Sequence, residues 1–158
     1  MKRFAAVLAF VAMTVLAFAQ APAKRSIASV SDDGARYEVF AFDEPDGARA
    51  YYLGLGTADN LFLLLGNNVN DAAGSVKKLL ALFSAPIGDS CTYHARFGNT
   101  LPEGDMVNAK VVVEKKLKKQ LVISCKAGDK KASAVMQKAS AKTLLKFVQG
   151  YQKRHPDR

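Results

Sequence analysis

Residues 106–125 read MVNAKVVVEKKLKKQLVISC, and the way this stretch doubles back decides the architecture. Val107, Ala109, Val111 and Val113 recur at every second position, with Asn108, Lys110 and Val112 between them and Glu114 after. That is the period of a strand with one face in a core. Lys115–Lys119 is a basic connection, after which Leu121, Ile123 and Cys125 resume the alternation. So short a link joins antiparallel neighbours, because a parallel pair needs a crossover of about a dozen residues or more.

The same grammar extends in both directions. Cys91–Phe97 alternates and reaches the 106–114 strand through a loop containing Pro102 and Gly104. Further upstream, Tyr37–Phe42 and Arg49–Leu55 flank a turn built on Pro45 and Gly47, which reads as a hairpin. Leu61–Leu65 is apolar on both faces and belongs in the middle of a sheet. Gly66, Asn67 and Asn68 then break the pattern, and Val76, Leu79, Leu80 and Phe83 take the i, i+3, i+4, i+7 spacing of an amphipathic helix that stops at Pro86 and Gly88. Downstream, Ala132–Met136 reads as a short strand, and Ser140–Gln152 as a last helix with Ser140 as N-cap. The expected fold is α+β: a mainly antiparallel sheet of about six or seven strands with two amphipathic helices on one face, in the order βββα-βββ(β)-α.

The front of the chain sets the compartment. Lys2 and Arg3 precede the apolar run Phe4–Phe18, and Ala17-Phe18-Ala19 before Gln20 has the small-x-small pattern of a cleavage site. The run is shorter than the roughly twenty residues a spanning helix needs, so residues 1–19 read as a cleavable signal peptide. Residues 20–33 read as a flexible leader, 34–154 as one domain and 155–158 as a disordered tail. The expected location is periplasmic or secreted, with no transmembrane span after cleavage. About 140 residues remain, enough for one core without a metal or a set of disulfides.

Charge is unevenly spread. Residues 20–100 carry seven Lys or Arg against nine Asp or Glu, and residues 101–158 carry fourteen against five. A basic second half fits an acidic partner in the envelope: a protein, an anionic lipid or a cell-wall polymer. Nucleic acid is disfavoured by export and by the lack of stacking aromatics among the basic positions.

Strand parity sorts the candidate chemistry. Cys91, Tyr93, Ala95 and Phe97 turn inward, leaving Thr92, His94 and Arg96 outside, which argues against Cys91 and His94 as nucleophile and base within that strand unless a bulge separates them. Cys125 also faces the core and makes a candidate disulfide with Cys91, closing a loop worth about 3 to 4 kcal/mol. A simple meander would set the two about 9.5 Å apart, beyond bonding reach, so the bond needs another strand order or frayed strand ends. The outward face gathers His94, Arg96, Lys110, Lys126 and Lys131, with Thr92, Asn108, Gln120 and Ser124 among them, a set able to hold phosphate, carboxylate or sulfate.

No metal or cofactor is expected. His94 and His155 are the only histidines and lack partners at ligand spacing, and Asp43, Glu44 and Asp46 fit turn chemistry better than a calcium loop. These readings describe an exported, non-catalytic binding or accessory protein of the bacterial envelope, holding an anionic ligand or partner on a basic sheet face. Two alternatives are a small secreted hydrolase with a loop-assembled site that includes His94, and a structural or inhibitory protein-interaction module.

Overall fold

The computed structural model describes residues 23–32 and 34–156. The expected signal peptide, residues 1–19, lies outside them. The strands are β1 (Lys24–Asp32), β2 (Ala35–Asp43), β3 (Arg49–Leu55), β4 (Asn60–Gly66), β5 (Ser90–Gly98), β6 (Val107–Lys115), β7 (Lys119–Ala127) and β8 (Lys130–Gln137). Helix α1 (Val69–Leu82) follows β4, and α2 (Lys138–Arg154) follows β8. All eight strands form one antiparallel sheet in sequence order. The α+β class and the order of elements are those read from the sequence, with one strand more than the largest expected number.

The added strand is β1, which occupies most of the stretch read as a leader. A register shift between Ser26 and Ala28 breaks its alternation, and Ala28 is its one fully buried residue. A period of two is therefore hard to see in the sequence, while Lys24 and Arg25 are normal for an edge.

Both helices pack on the inner face of the sheet, α1 against β3 and β4 and α2 against β1 and α1. Val76, Leu79, Leu144 and Val148 join Leu53, Leu63, Val111 and Ile123 in one core. Helix α1 is started by Asn68, whose Oδ1 accepts from the Asp71 amide at 2.8 Å while its Nδ2 donates to Asp71 Oδ2 at 2.7 Å. Gly66 is required just before it: φ is +148°, and a Cβ there would fall 2.3 Å from that of Asp71.

The N-terminus of α2 corrects the expected cap. The capping position is Gln137, which makes no side-chain cap bond, and Ser140 lies inside the first turn. Asp32, at the far end of β1, supplies the acceptor instead. Its Oδ2 takes the Gln137 amide at 3.2 Å and the Ser140 hydroxyl at 2.6 Å.

Asp32 also belongs to a row of side chains that meets the free edge of β8. The Lys131 amide donates to Asp59 Oδ2 at 2.8 Å, and the Tyr37 hydroxyl donates to the Val135 carbonyl. With the Gln137 amide, three positions of the edge, at Lys131, Val135 and Gln137, are occupied by groups from β1, β2 and the β3–β4 turn. Burial, with the charge of Asp32 added, pushes the Tyr37 pKa up, so the hydroxyl keeps its proton and remains a donor.

A second, smaller core lies on the outer face. Phe40, Phe42, Tyr52 and Phe62 are buried there, with the Phe40 and Phe62 rings edge to face at 5.8 Å. Leu101, from the β5–β6 loop, packs on them. The loop folds so tightly that a Cβ on Gly98 would lie 1.8 Å from the Leu101 carbonyl oxygen. β4 is thereby covered on both faces, as its unbroken apolar run requires.

Replacing Asp32→Ala is expected to lower stability by about 1 to 2 kcal/mol, since an edge amide and a helix start lose their acceptor together. Urea unfolding followed by circular dichroism measures this. A midpoint equal to that of the parent would mean water substitutes fully for the carboxylate.

Candidate functional site

The outer face of β5–β8 brings four of the five basic candidates together. His94 pairs with Asn108, and Lys126 lies directly opposite Lys131. One pair beyond Lys110↔Ser124, the register sets Asn108 level with Lys126. His94, Asn108, Lys126 and Lys131 therefore form one row across four strands, about 14 Å from end to end at the usual strand spacing. The adjacent row runs Thr92, Lys110, Ser124, Ser133.

His94, Lys110, Lys126 and Lys131 are all exposed. Among the described residues the ion pairs are Lys24–Glu38, Arg49–Asp43 and Arg96–Glu44, so none of these three lysines is neutralised by one. Glu114 is the one carboxylate at an outward position of β5–β8, and it sits at the opposite end of the strands; Glu103, Asp105 and Asp129 lie in the loops at the near end, and Asp59 accepts the Lys131 amide. Like charges directly across a strand pair repel, so the Lys126–Lys131 pairing is retained against an unfavourable local interaction.

Arg96 has another role. Its Nη1 donates to Glu44 Oε2 at 3.1 Å, and Glu44 Oε1 accepts the Tyr52 hydroxyl at 2.8 Å. This ties the guanidinium to the β2–β3 turn beside the outer aromatic cluster. The sequence carries no signal for it, because Glu44 precedes Arg96 by 52 positions. The other turn acids are likewise engaged: Asp43 holds Arg49 at 2.9 Å, and Asp46 accepts the Ala48 amide at 2.9 Å.

The expected disulfide is not formed. Cys91 and Cys125 are free thiols, since the sheet is a simple meander and β6 stands between their strands. Both face inward, Cys91 level with Val111 and Cys125 opposite Ala132, where its Sγ donates to the Asn108 carbonyl at 3.4 Å. Burial pushes both thiol pKa values up, with nearby Lys78 pulling Cys91 partly back. Cys91 opens on a groove of about 490 Å³ beside α1, lined by Ser75, Lys78, Leu82 and Tyr93. His94 is exposed on the opposite face, so no nucleophile-base pair is assembled around either sulfur.

A basic feature not singled out in the sequence is the tip of the β6–β7 hairpin. Lys116, Leu117 and Lys118 line one side of a cleft of about 1010 Å³, and Lys138 and Thr143 of α2 line the other. Asp32 and Ser140 also line this cleft, so the helix N-terminus there already has its carboxylate. Lys119 is anchored at the hairpin base, its Nζ donating to the Ala85 carbonyl at 2.6 Å and the Phe83 carbonyl at 3.3 Å.

Among the described residues, no group of three or more His, Cys, Asp and Glu could hold a metal ion, and no helix is long and apolar enough to cross a membrane. No family model matches the chain, and neither does a curated protein or a solved structure.

Unfolding without reductant should release two titratable thiols per chain. In the native protein at neutral pH both should react slowly, since only thiolate attacks the reagent and burial disfavours it. Titration with an aromatic disulfide reagent tests both points; finding no free thiol would establish pairing.

Proposed function

We propose that the protein is an exported, non-catalytic accessory protein of the cell envelope that holds an acidic partner against the outer face of β5–β8. The observation that carries this reading is the direct opposition of Lys126 and Lys131, with Lys110 and His94 nearby and no ion pair among the described residues to offset the lysines. A partner carrying carboxylate, phosphate or sulfate groups relieves the repulsion between the ammonium groups. Thr92, Asn108, Ser124 and Ser133 stand between the charges and offer hydrogen bonds to the same oxygens.

The shape of the site favours an extended partner. A four-strand face meets a polymer or a protein surface along its length, whereas an enclosed pocket would suit a small molecule. The signal segment supports delivery to the envelope, where acidic polymers and protein surfaces are available. Long lysine side chains on a sheet give binding that depends on charge more than on shape. Such binding weakens as salt screens the field.

Polyglutamate is a suitable probe because it presents only carboxylates. The protein should bind it at low salt and lose affinity steeply as salt is raised. Lys126→Glu combined with Lys131→Glu should weaken binding by about tenfold or more, given charge contributions on the order of 1 kcal/mol each. Unchanged affinity in that variant, with circular dichroism showing an intact fold, would dismiss this face as the site.

A further inference from the structure

We infer that the β6–β7 hairpin tip and the first turns of α2 form a separate docking surface for an anionic phospholipid bilayer, with Leu117 entering the interfacial layer. This site is at the opposite end of β6 and β7 from the Lys126–Lys131 pair and does not depend on it.

The tip is a tight turn in which the Lys116 amide donates to the Lys118 carbonyl at 3.3 Å, with Leu117 at the apex. Leu117 is 97% exposed, the most exposed large apolar side chain among the described residues. A single exposed leucine on a surface is ordinary. This one projects between the exposed ammonium groups of Lys116 and Lys118, with Lys115 behind it. Across the cleft stand Lys138 and, one helical turn on, the exposed Lys142.

Two further exposed apolar side chains lie on neighbouring elements, one beside the end of β6 and one past the middle of α2. Ile87, 58% exposed, is in the segment whose Gly88 amide donates to the Val113 carbonyl at 2.8 Å, beside the end of β6. Phe147, 50% exposed, is one turn beyond Thr143, which lines the cleft. Neither residue lines the cleft itself, so Leu117 is the apolar group that the lysines of the tip flank directly.

This combination distinguishes a bilayer from an acidic protein or polymer. Carboxylate polymers would use the lysines and leave Leu117 in water. A bilayer uses both, since headgroup phosphates meet the ammonium groups while the apolar tip reaches the acyl boundary. The base of the hairpin is fixed, since Lys119 ties it to the carbonyls of Phe83 and Ala85, which keeps that lysine out of the exposed set.

The chain contains no tryptophan, so Leu117→Trp places a single reporter at the apex. Its emission should shift to the blue on vesicles of phosphatidylcholine and phosphatidylglycerol in equal parts, and should stay unshifted on phosphatidylcholine alone. Adding Lys116→Glu and Lys118→Glu should reduce vesicle binding about thirtyfold or more, by the usual contribution of each lysine near an anionic surface. Lys126→Glu with Lys131→Glu should leave the shift in place, which separates this site from the sheet face. In the parent background, Leu117→Ser should lower vesicle binding severalfold without changing polyglutamate binding. An unshifted Leu117→Trp emission on anionic vesicles, or equal vesicle binding by Leu117→Ser and the parent, would overturn the inference and assign the lysines to a soluble polyanion.

Discussion

A meander of eight strands ends in two edges, and every amide and carbonyl left there needs a partner in the protein or in water. Here the edge of β8 is met by side chains from the opposite end of the sheet. Asp59, Tyr37 and Asp32 reach Lys131, Val135 and Gln137 in turn, so β8 lies across the ends of the N-terminal hairpins. The rest follows from this meeting. The sheet has to curl for it to occur, curling gives one enclosed face where both helices pack, and the other face turns outward.

That outer face is used differently by the two halves. Each half is a four-stranded meander followed by a helix. In the first, outward positions are aromatic and are sealed by Leu101, by the Arg96–Glu44 pair and by Lys24, whose ammonium lies 4.6 Å from the Phe40 ring centroid. Lys24 also pairs with Glu38 at 2.6 Å. Burial alone would raise the Glu38 pKa, but hydrogen bonds from Lys24 and Ser26 and the charges of Lys24 and Arg36 hold it below its ordinary value. In the second half the outward positions near the Lys126–Lys131 pair are basic and small polar residues, followed along the strands by a half-buried row of Val112, Val122 and Val135. The two sets of strands thus differ on their outer face: the first closes a small aromatic core, and the second carries part of the basic excess of the sequence.

Strand parity was the most legible property, because it depends only on neighbouring residues. It placed Cys91 and Tyr93 inside, His94 outside, and Lys110 and Lys126 on the same side as His94. What escaped depends on distant contacts. β1 was hidden by its register shift, and Asp32 could not be recognised as the cap of α2 because Ser140 is 108 positions away. Arg96 looked like one more surface cation until Glu44 was brought to it. The disulfide turned on strand order, which residue pattern alone left open. The apex of the β6–β7 hairpin was plain as a connection, but how far Leu117 projects is a property of the folded surface.

Asp32 has a further consequence for the order in which the molecule becomes whole. Synthesis delivers Asp32 108 positions ahead of Ser140, so the acceptor must wait through all the intervening strands before its donors arrive. Earlier hairpins can form from neighbouring residues, yet the molecule stays unlatched until its last helix comes home. A chain cut short before Ser140 would lose more than a helix, because Asp32 would also lose the shorter of its two hydrogen bonds.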